Sequence, residues 1–395
     1  MTIFSPITGR GGAVTVLRLS GPQSFQIIQS LAQSLPNPRF ASLRPLTDKN
    51  EILDHALVTI FPAPKSFTGE DCAELALHGG RAVLAAISAA LVRLGARPAE
   101  PGEFSRRAFL NGRMNLAEAE AMADLIASET EAQRRLAIQG ADALQTTAAI
   151  WRETLRQLMA QQEALIDFPD EDLPPEVEAT LIAKITQLRD EMLSLLQAAP
   201  AAERLREGLE FVILGAPNAG KSTLLNALAG EDIAIVSETP GTTRDAVGVR
   251  IDLAGIPVHL TDTAGIRDTA DPIEAEGVRR AQAKGKTADL IIAVAAAPNP
   301  IFAATPAGEN TIHIITKSDL LQAPATEFIT ISAETGEGMQ QLRAKLCEIA
   351  TNLTDTKGLA ALARPRQTAC IRDTANALIR ALETPEPELR GEDLR

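Results

Sequence analysis

Gly215-Ala216-Pro217-Asn218-Ala219-Gly220-Lys221-Ser222 fits the spacing G-x-x-x-x-G-K-[ST]. The residue types suit a polyphosphate. Glycines let backbone N–H groups close around phosphate oxygens. Lys221 reaches the terminal phosphates and Ser222 offers a hydroxyl to Mg²⁺. A helix beginning at this point adds a field that favours anions. The context agrees: Phe211-Val212-Ile213-Leu214 has the length and type of a buried strand, and Thr223-Leu224-Leu225-Asn226-Ala227-Leu228 reads as the first turns of a helix. The competing reading is a chance Gly-rich turn, and the residues downstream decide against it.

Ser237-Glu238-Thr239-Pro240-Gly241-Thr242-Thr243-Arg244-Asp245 follows. A threonine such as Thr243 on a mobile loop would sense the γ-phosphate and complete the Mg²⁺ shell. Asp262-Thr263-Ala264-Gly265 comes after the strand-like Val258 to Thr261. There Asp262 would hold Mg²⁺ through water, and Gly265 would give an N–H to the γ-phosphate. Thr316-Lys317-Ser318-Asp319 follows another apolar run. Asp319 would pair with the N1–H and 2-amino group of guanine, which adenine lacks. Ser332-Ala333-Glu334 follows Phe328 to Ile331, and its amides would meet the guanine O6. In this order, each after a strand, the motifs specify a guanine-specific P-loop GTPase that takes GTP/GDP with Mg²⁺. Thr316 stands where asparagine is commoner. Ile266 stands where Ras-like enzymes carry a water-orienting glutamine, so hydrolysis needs another residue.

Alternating strands and helices over 207–355 form the doubly wound α/β domain that positions these motifs. Pro298, Pro300 and Pro306 leave little room for a crossover helix between Val294 and Ile312. Residues 117–206 and 356–395 read as helical. Trp151, Leu155, Leu158 and Leu165 recur at helical spacing, and Leu181, Ile185, Leu188, Met192 and Leu195 form a bundle seam. Ile371, Ala375, Leu378 and Leu382 repeat that stripe beyond the α/β segment. The simplest architecture is one helical domain built from both flanks, with the nucleotide domain inserted.

Residues 1–116 form an α+β module with strands near Val14–Leu19, His55–Phe61 and Cys72–His78, and a helix from Arg81 to Leu94 stopped by Gly95. Arg18 shares parity with Val14 and Val16, and Glu74 with Cys72 and Ala76. Such charges either face water at a sheet edge or line a polar pocket. In a pocket, the carboxylate could accept two N–H donors from a pterin or guanine-like ring while the arginine holds an anion. Arg106, Arg107, Arg113, Arg134 and Arg135 are the densest basic positions of this half. Solvated helix faces account for Arg134 and Arg135, and a phosphate-binding patch is the alternative for the others.

The 395 residues carry a net charge of −13, which disfavours nonspecific coating of nucleic acid. Cys72, Cys347 and Cys370 lack metal-ligand spacing and read as small buried apolar residues in a reducing cytoplasm. Neither a secretory leader nor a membrane-spanning apolar run is visible.

The chain resembles the MnmE/TrmE family, the tRNA wobble-uridine modification GTPases. The resemblance rests on Gly9-Arg10-Gly11-Gly12, Leu17-Arg18-Leu19-Ser20-Gly21, Ser66-Phe67-Thr68-Gly69-Glu70-Asp71 and His78-Gly79-Gly80. It continues through Pro101-Gly102-Glu103-Phe104-Ser105-Arg106-Arg107-Ala108-Phe109-Leu110-Asn111-Gly112, Ile166-Asp167-Phe168-Pro169-Asp170 and the GTPase motifs. It implies a tetrahydrofolate-binding N-terminal domain, a helical domain from two segments and an inserted GTPase domain. It further implies that Asn218, Thr242 and the main-chain oxygens of Ser237 and Thr239 bind K⁺ beside the phosphates, and that Glu274 acts on the attacking water when two GTPase domains pair. Arg18, Glu74 and Arg113 would line the site for a 5-formyl- or methylene-tetrahydrofolate, with Arg113 where lysine is common. The implied partners are tRNA, a FAD-dependent modification protein of the MnmG/GidA type and a second copy of the chain. The family's Cys-x-Gly-Lys tail is not matched by Cys72, Cys347 or Cys370, and the modification step is the activity this bears on. A regulatory or ribosome-associated GTPase switch and a folate-binding scaffold are the alternative readings.

Overall fold

A computed structural model describes residues 1–9, 11–167, 175–230, 248–262, 288–302, 310–321, 328–356 and 362–394. The chain divides into two units, Met1–Glu120 and Ala121–Arg395.

The first unit contains β1 (Ile3–Pro6), β2 (Val14–Ser20), α1 (Ser24–Ala32), β3 (Ser42–Asp48), β4 (Glu51–Phe61), β5 (Cys72–His78), α2 (Arg81–Arg93), β6 (Arg97–Pro98) and α3 (Glu103–Leu110). Its sheet runs β3-β4-β5-β2-β1-β6, antiparallel except where β6 lies parallel to β1. Period-two alternation puts Leu17, Leu19, Val58, Ile60, Leu75 and Leu77 on one face, where Ile28 and Leu31 of α1 and Ile87 and Leu91 of α2 cover them. Each such side chain removed from water contributes about 1.5–3 kcal/mol. Gly95, at φ +94°, supplies the left-handed residue that ends α2. Sequence patterning misses β3 because Pro45 interrupts it. A proline is tolerated there because β3 is an edge strand.

The second unit's helices are α5 (Glu131–Asp167) and α6 (Pro175–Glu207), with α4 (Leu116–Ala127) running across the division between units. The helical stretch expected from residue 117 is therefore broken at 128–130. Thr130 and Gln133 explain the break: Gln133 N–H donates to Thr130 Oγ1 at 3.5 Å, and Gln133 Oε1 accepts the Thr130 N–H at 3.3 Å. This capping box starts a new helix without glycine or proline. Next come β7 (Leu209–Gly215), α7 (Lys221–Gly230), β8 (Gly248–Leu253), β9 (Ile256–Asp262), β10 (Leu290–Ala296), β11 (Thr311–Thr316), β12 (Ile329–Thr330) and α8 (Met339–Leu353). The chain closes with α9 (Pro365–Glu383) and α10 (Pro387–Leu394).

Trp151 and Leu158 of α5, Leu181, Ile185, Leu188 and Met192 of α6, and Ala375 and Leu378 of α9 share one core. Segments on both sides of the α/β insert thus build a single bundle. The insert's sheet runs β12-β11-β10-β7-β9-β8. All its pairs are parallel except β8 with β9. Phe211, Ile213, Leu260, Ile292, Val294 and Ile314 pack with α7 and α8 on one face. Residues 297–302 between β10 and β11 contain no helix, and 303–309 lie outside the described residues.

Cysteine burial departs from expectation. Cys72 is buried, but Cys347 is only half-buried and Cys370 is exposed. Cys370 sits beside, not on, the Ile371–Ala375–Leu378 stripe of α9, so it turns to solvent. Among the described residues no helix is long and apolar enough to cross a membrane, and no group of three or more His, Cys, Asp or Glu side chains could hold a metal ion.

Candidate functional site

The phosphate loop joins β7 to α7. Gly215 lies so close to β10 that a Cβ on it would come within 2.3 Å of the Val294 carbonyl oxygen. Asn218 at φ +62° and Gly220 at φ +83° turn the chain back into the helix. Ala219 is buried, while Thr223 is exposed in the first turn of α7. Lys221 is only 6% exposed, and its Nζ donates to the carbonyls of Gly215 at 2.9 Å and Ala216 at 2.8 Å. A buried ammonium at a helix N-terminus, with backbone N–H groups beside it, suits a polyanion.

Ser222 Oγ donates to Asp262 Oδ2 at 2.6 Å. This places the first-turn hydroxyl of α7 against the fully buried carboxylate that ends β9. Two hard oxygen donors at this spacing fit a small divalent cation.

The base-recognition residues cluster at the ends of β11 and β12. Lys317, at φ +58°, is exposed and leads into the turn Ser318–Leu320 that carries exposed Asp319. The Ser318 N–H donates to Ile331 O at 3.0 Å. Ser332 is buried, its N–H bonded to Glu337 O, and Ala333 is half-buried in the turn before α8. Thr316 is buried, and its Oγ1 donates to Ala219 O at 2.7 Å and lies 3.3 Å from Ala295 O. One hydroxyl thus links the base strand to the phosphate loop. Ser237 through Thr243, Thr263 through Gly265, and Glu274 lie outside the described residues.

A second constellation lies in the first unit. Arg18 and Glu74 stand opposite each other on β2 and β5, which are interior strands, so the water-facing edge reading does not apply. Arg18 Nε and Nη2 both donate to Glu74 Oε1, at 2.9 and 2.7 Å. The guanidinium lies 4.5 Å from the centre of the Phe67 ring and 5.8 Å from that of Phe104. Arg113 packs beside the same 66–71 loop, since a Cβ on Gly69 would be 3.0 Å from its Cγ. A carboxylate, a guanidinium and two phenyl rings on an open sheet face suit a flat heteroaromatic ligand with N–H donors.

The two phenylalanines escaped sequence reasoning, although both lie within motifs quoted for the family. An ionic network holds their supports. Arg107 bridges Glu70 at 2.9 Å and Glu103 at 3.0 Å, and Arg97 pairs with Glu103 at 2.6 Å. Hydrogen bonds from Arg97 hold the buried Glu103 carboxyl down at about 2. Burial works against this, and the Glu100 N–H and Arg107 reinforce it. Arg107 is thus structural and not a free phosphate ligand. Arg134 and Arg135 pair with exposed Glu131, as solvated helix faces do.

A mainly parallel sheet that presents a phosphate loop and a base-recognition turn, joined by one hydrogen bond, is the architecture of a P-loop GTPase. Two family models match the chain: "GTP-binding protein TrmE N-terminus" over residues 2–113 and "MnmE helical domain" over 116–395. The tRNA modification GTPase MnmE of Acidiphilium cryptum is 57% identical over 395 residues, covering 100% of this chain and 91% of that protein. Its counterpart in Gluconacetobacter diazotrophicus is 51% identical over 408 residues, covering 100% and 92%. That of Granulibacter bethesdensis is 49% identical over 406 residues, again covering 100% and 92%. The chain belongs to the MnmE family.

Proposed function

We propose that the chain is a GTP hydrolase of tRNA modification. With a FAD-dependent partner of the MnmG/GidA type, it adds a carboxymethylaminomethyl-type group at carbon 5 of the wobble uridine in certain tRNAs. It works in the cytoplasm as a homodimer held by its N-terminal domain, with residues 1–116, 117–206 plus 356–395, and 207–355 as folate-binding, helical and GTPase domains. The observation that supports the nucleotide reading is the 2.6 Å hydrogen bond from Ser222 Oγ to Asp262 Oδ2, with Ser222 next in the chain to buried Lys221.

In this reading Asn218 to Thr223 bind the phosphates, with Ser222 and Thr243 offering oxygens to Mg²⁺. Lys317 and Asp319 orient guanine, and the Ala333 amide meets O6 beside Ser332, whose own N–H is held by Glu337 O. Asn218 and Thr242, with the main-chain oxygens of Ser237 and Thr239, hold K⁺. Bound there, the cation supplies the positive charge that an arginine finger supplies elsewhere. Glu238, Pro240 and Gly241 contribute to nucleotide binding from the same stretch, and Asp262 to Gly265 serve the γ-phosphate side. Glu274 orients or deprotonates water, a role Ile266 cannot fill. In the first unit Arg18, Glu74 and Arg113 bind a 5-formyl- or methylene-tetrahydrofolate as the carbon source.

Single-turnover hydrolysis in K⁺ and Na⁺, with light scattering to follow pairing, tests this scheme. Turnover is expected to be faster in K⁺. Asn218→Ala removes that response, and Glu274→Ala spares GTP binding while cutting the rate roughly 10²–10⁴-fold. Equal rates in both salts remove the cation from the mechanism.

A further inference from the structure

Several segments distant in sequence meet at one corner of the second unit. The first is the α4–α5 corner, residues 128–133. The second is the end of α6, where Gln133 Nε2 donates to Arg206 O at 2.9 Å, just before β7 begins. The third is the tip of the β8–β9 hairpin. Ala254 at φ +56° and Gly255 at φ +85° form its two-residue turn, and Asp252 Oδ1 accepts the Gly255 N–H at 2.6 Å.

The hairpin tip caps a helix. The Gly255 carbonyl accepts the Ala132 N–H at 3.2 Å. That N–H belongs to the first turn of α5, where an α-helix has no partner of its own to offer. Arg250 Nη1 reaches both carboxylate oxygens of Glu129, at 2.7 and 2.8 Å. Ala132 and Leu205 pack against the core of the nucleotide domain. The corner is further tied to the returning chain, since Arg206 Nε donates to Ala363 O at 2.6 Å and Arg364 pairs with Asp124 of α4 at 2.6 Å.

The hairpin also has a special place in the chain. β8 begins just after the Gly241-Thr242-Thr243-Arg244-Asp245 motif, and β9 ends on Asp262, against Ser222. One end of this ribbon therefore faces the phosphates, and the other is the N-terminal cap of a 37-residue helix. β9 is also paired with β7 on its other side, so the route from Asp262 to Gly255 runs along a strand held in the sheet, and the hairpin tip receives the part of a shift at Asp262 that β9 passes on.

We infer that the Gly255–Ala132 bond and the Arg250–Glu129 pair form a coupling contact through which the occupant of the nucleotide site changes the capping of α5, and with it the α4–α5 corner. The inference rests on the GTPase reading above. Arg250 is half-exposed, and such a pair contributes only about 0–1 kcal/mol. The pair therefore adds little, and the backbone cap with the packing of Ala132 is the main contact. The bland alternative is a static anchor, which would stabilise the corner equally in every nucleotide state. A coupling element must instead have an equilibrium that the nucleotide biases.

Hydrogen exchange on the full chain distinguishes the two. Amides 128–137 are compared with GDP bound and with a non-hydrolysable GTP analogue bound. A differential hydrogen bond at the cap changes their exchange by roughly fivefold or more between states. Ala132→Pro deletes the donor at a helix position that tolerates proline, and Arg250→Gln deletes the ion pair at an exposed site. Both variants are expected to bind GDP and the analogue as the parent does, while the state-dependent difference at 133–137 disappears in Ala132→Pro and shrinks in Arg250→Gln. Identical parental exchange in the two states overturns the inference, as does a full difference surviving in both variants. Failure of the GTPase reading shows separately, as absence of guanine-nucleotide binding by the parent.

Discussion

The hydroxyl of Thr316 donates to the carbonyl of Ala219 across 2.7 Å, so the strand that ends in the base-recognition turn is fastened to the phosphate loop. An amide at this position could donate twice. The threonine donates once, and its Cγ2 fills space 3.7 Å from where a Gly220 Cβ would stand. Thr316→Val keeps the shape and strands a buried carbonyl, at a cost of roughly 1–3 kcal/mol. Because the contact touches neither the γ-phosphate nor the base, GTP and GDP affinities should fall by the same factor. Calorimetric titration with each nucleotide checks this, and a loss confined to GTP contradicts it.

Asp319 sits on an exposed turn whose backbone is held by the Ser318–Ile331 bond. Asp319→Asn leaves that turn in place and exchanges an acceptor for an amide. GTP binding should weaken by roughly 1–3 kcal/mol, and xanthosine nucleotides should gain. Competition between the two nucleotides reads out the switch, and unchanged GTP affinity with no xanthine gain removes Asp319 from base recognition.

Glu74 presents one oxygen to Arg18 and leaves the other on the open sheet face. Glu74→Ala should abolish binding of 5-formyl-tetrahydrofolate and leave GTP hydrolysis largely intact. Titration of both ligands on the same preparation decides the matter. Parental folate affinity in the variant places the pocket elsewhere.

Glu103 is held near 2 by Arg97, with Arg107 and the Glu100 N–H adding to the effect. A carboxyl whose folded value is depressed stabilises the fold above its unfolded value, here 4.5, and loses that contribution as pH falls toward the folded one. Glu103→Gln should therefore be less stable than the parent at neutral pH, by roughly 1–3 kcal/mol. The gap should narrow between pH 4.5 and about 2. Urea unfolding at a series of pH values measures it, and a gap independent of pH refutes the ionic origin.

The phosphate loop and the Thr316–Asp319 turn were legible because their chemistry is local, a fixed spacing on one strand–turn–helix. Strand parity made legible that Arg18 and Glu74 each share a face with apolar neighbours, but not that they stand opposite each other on β2 and β5, nor that Phe67 and Phe104 lie over the guanidinium. They arrive from a loop and from α3, and only the folded sheet brings them to Arg18. β3 was hidden by Pro45. The break between α4 and α5 was hidden because Ser128-Glu129-Thr130 contains no glycine or proline. A signal existed in Thr130-x-x-Gln133, whose side chains cap the new helix. The exposed Cys370 shows the limit of composition: a cysteine one place off an apolar stripe faces water.

Because one bundle core draws on residues both before and after the nucleotide domain, the order of synthesis matters. Leu181, Ile185 and Leu188 leave the ribosome well before Ala375 and Leu378, their partners in the core. At about 5–20 residues per second, the interval is on the order of ten to forty seconds. During it the α5–α6 hairpin waits with part of its seam unmatched. The inserted domain is one continuous stretch and can close its own sheet meanwhile. The guest is thus complete before its host, and the newborn chain passes through a state in which a finished nucleotide domain hangs from a half-built bundle, the stage at which a chaperone has most apolar surface to hold.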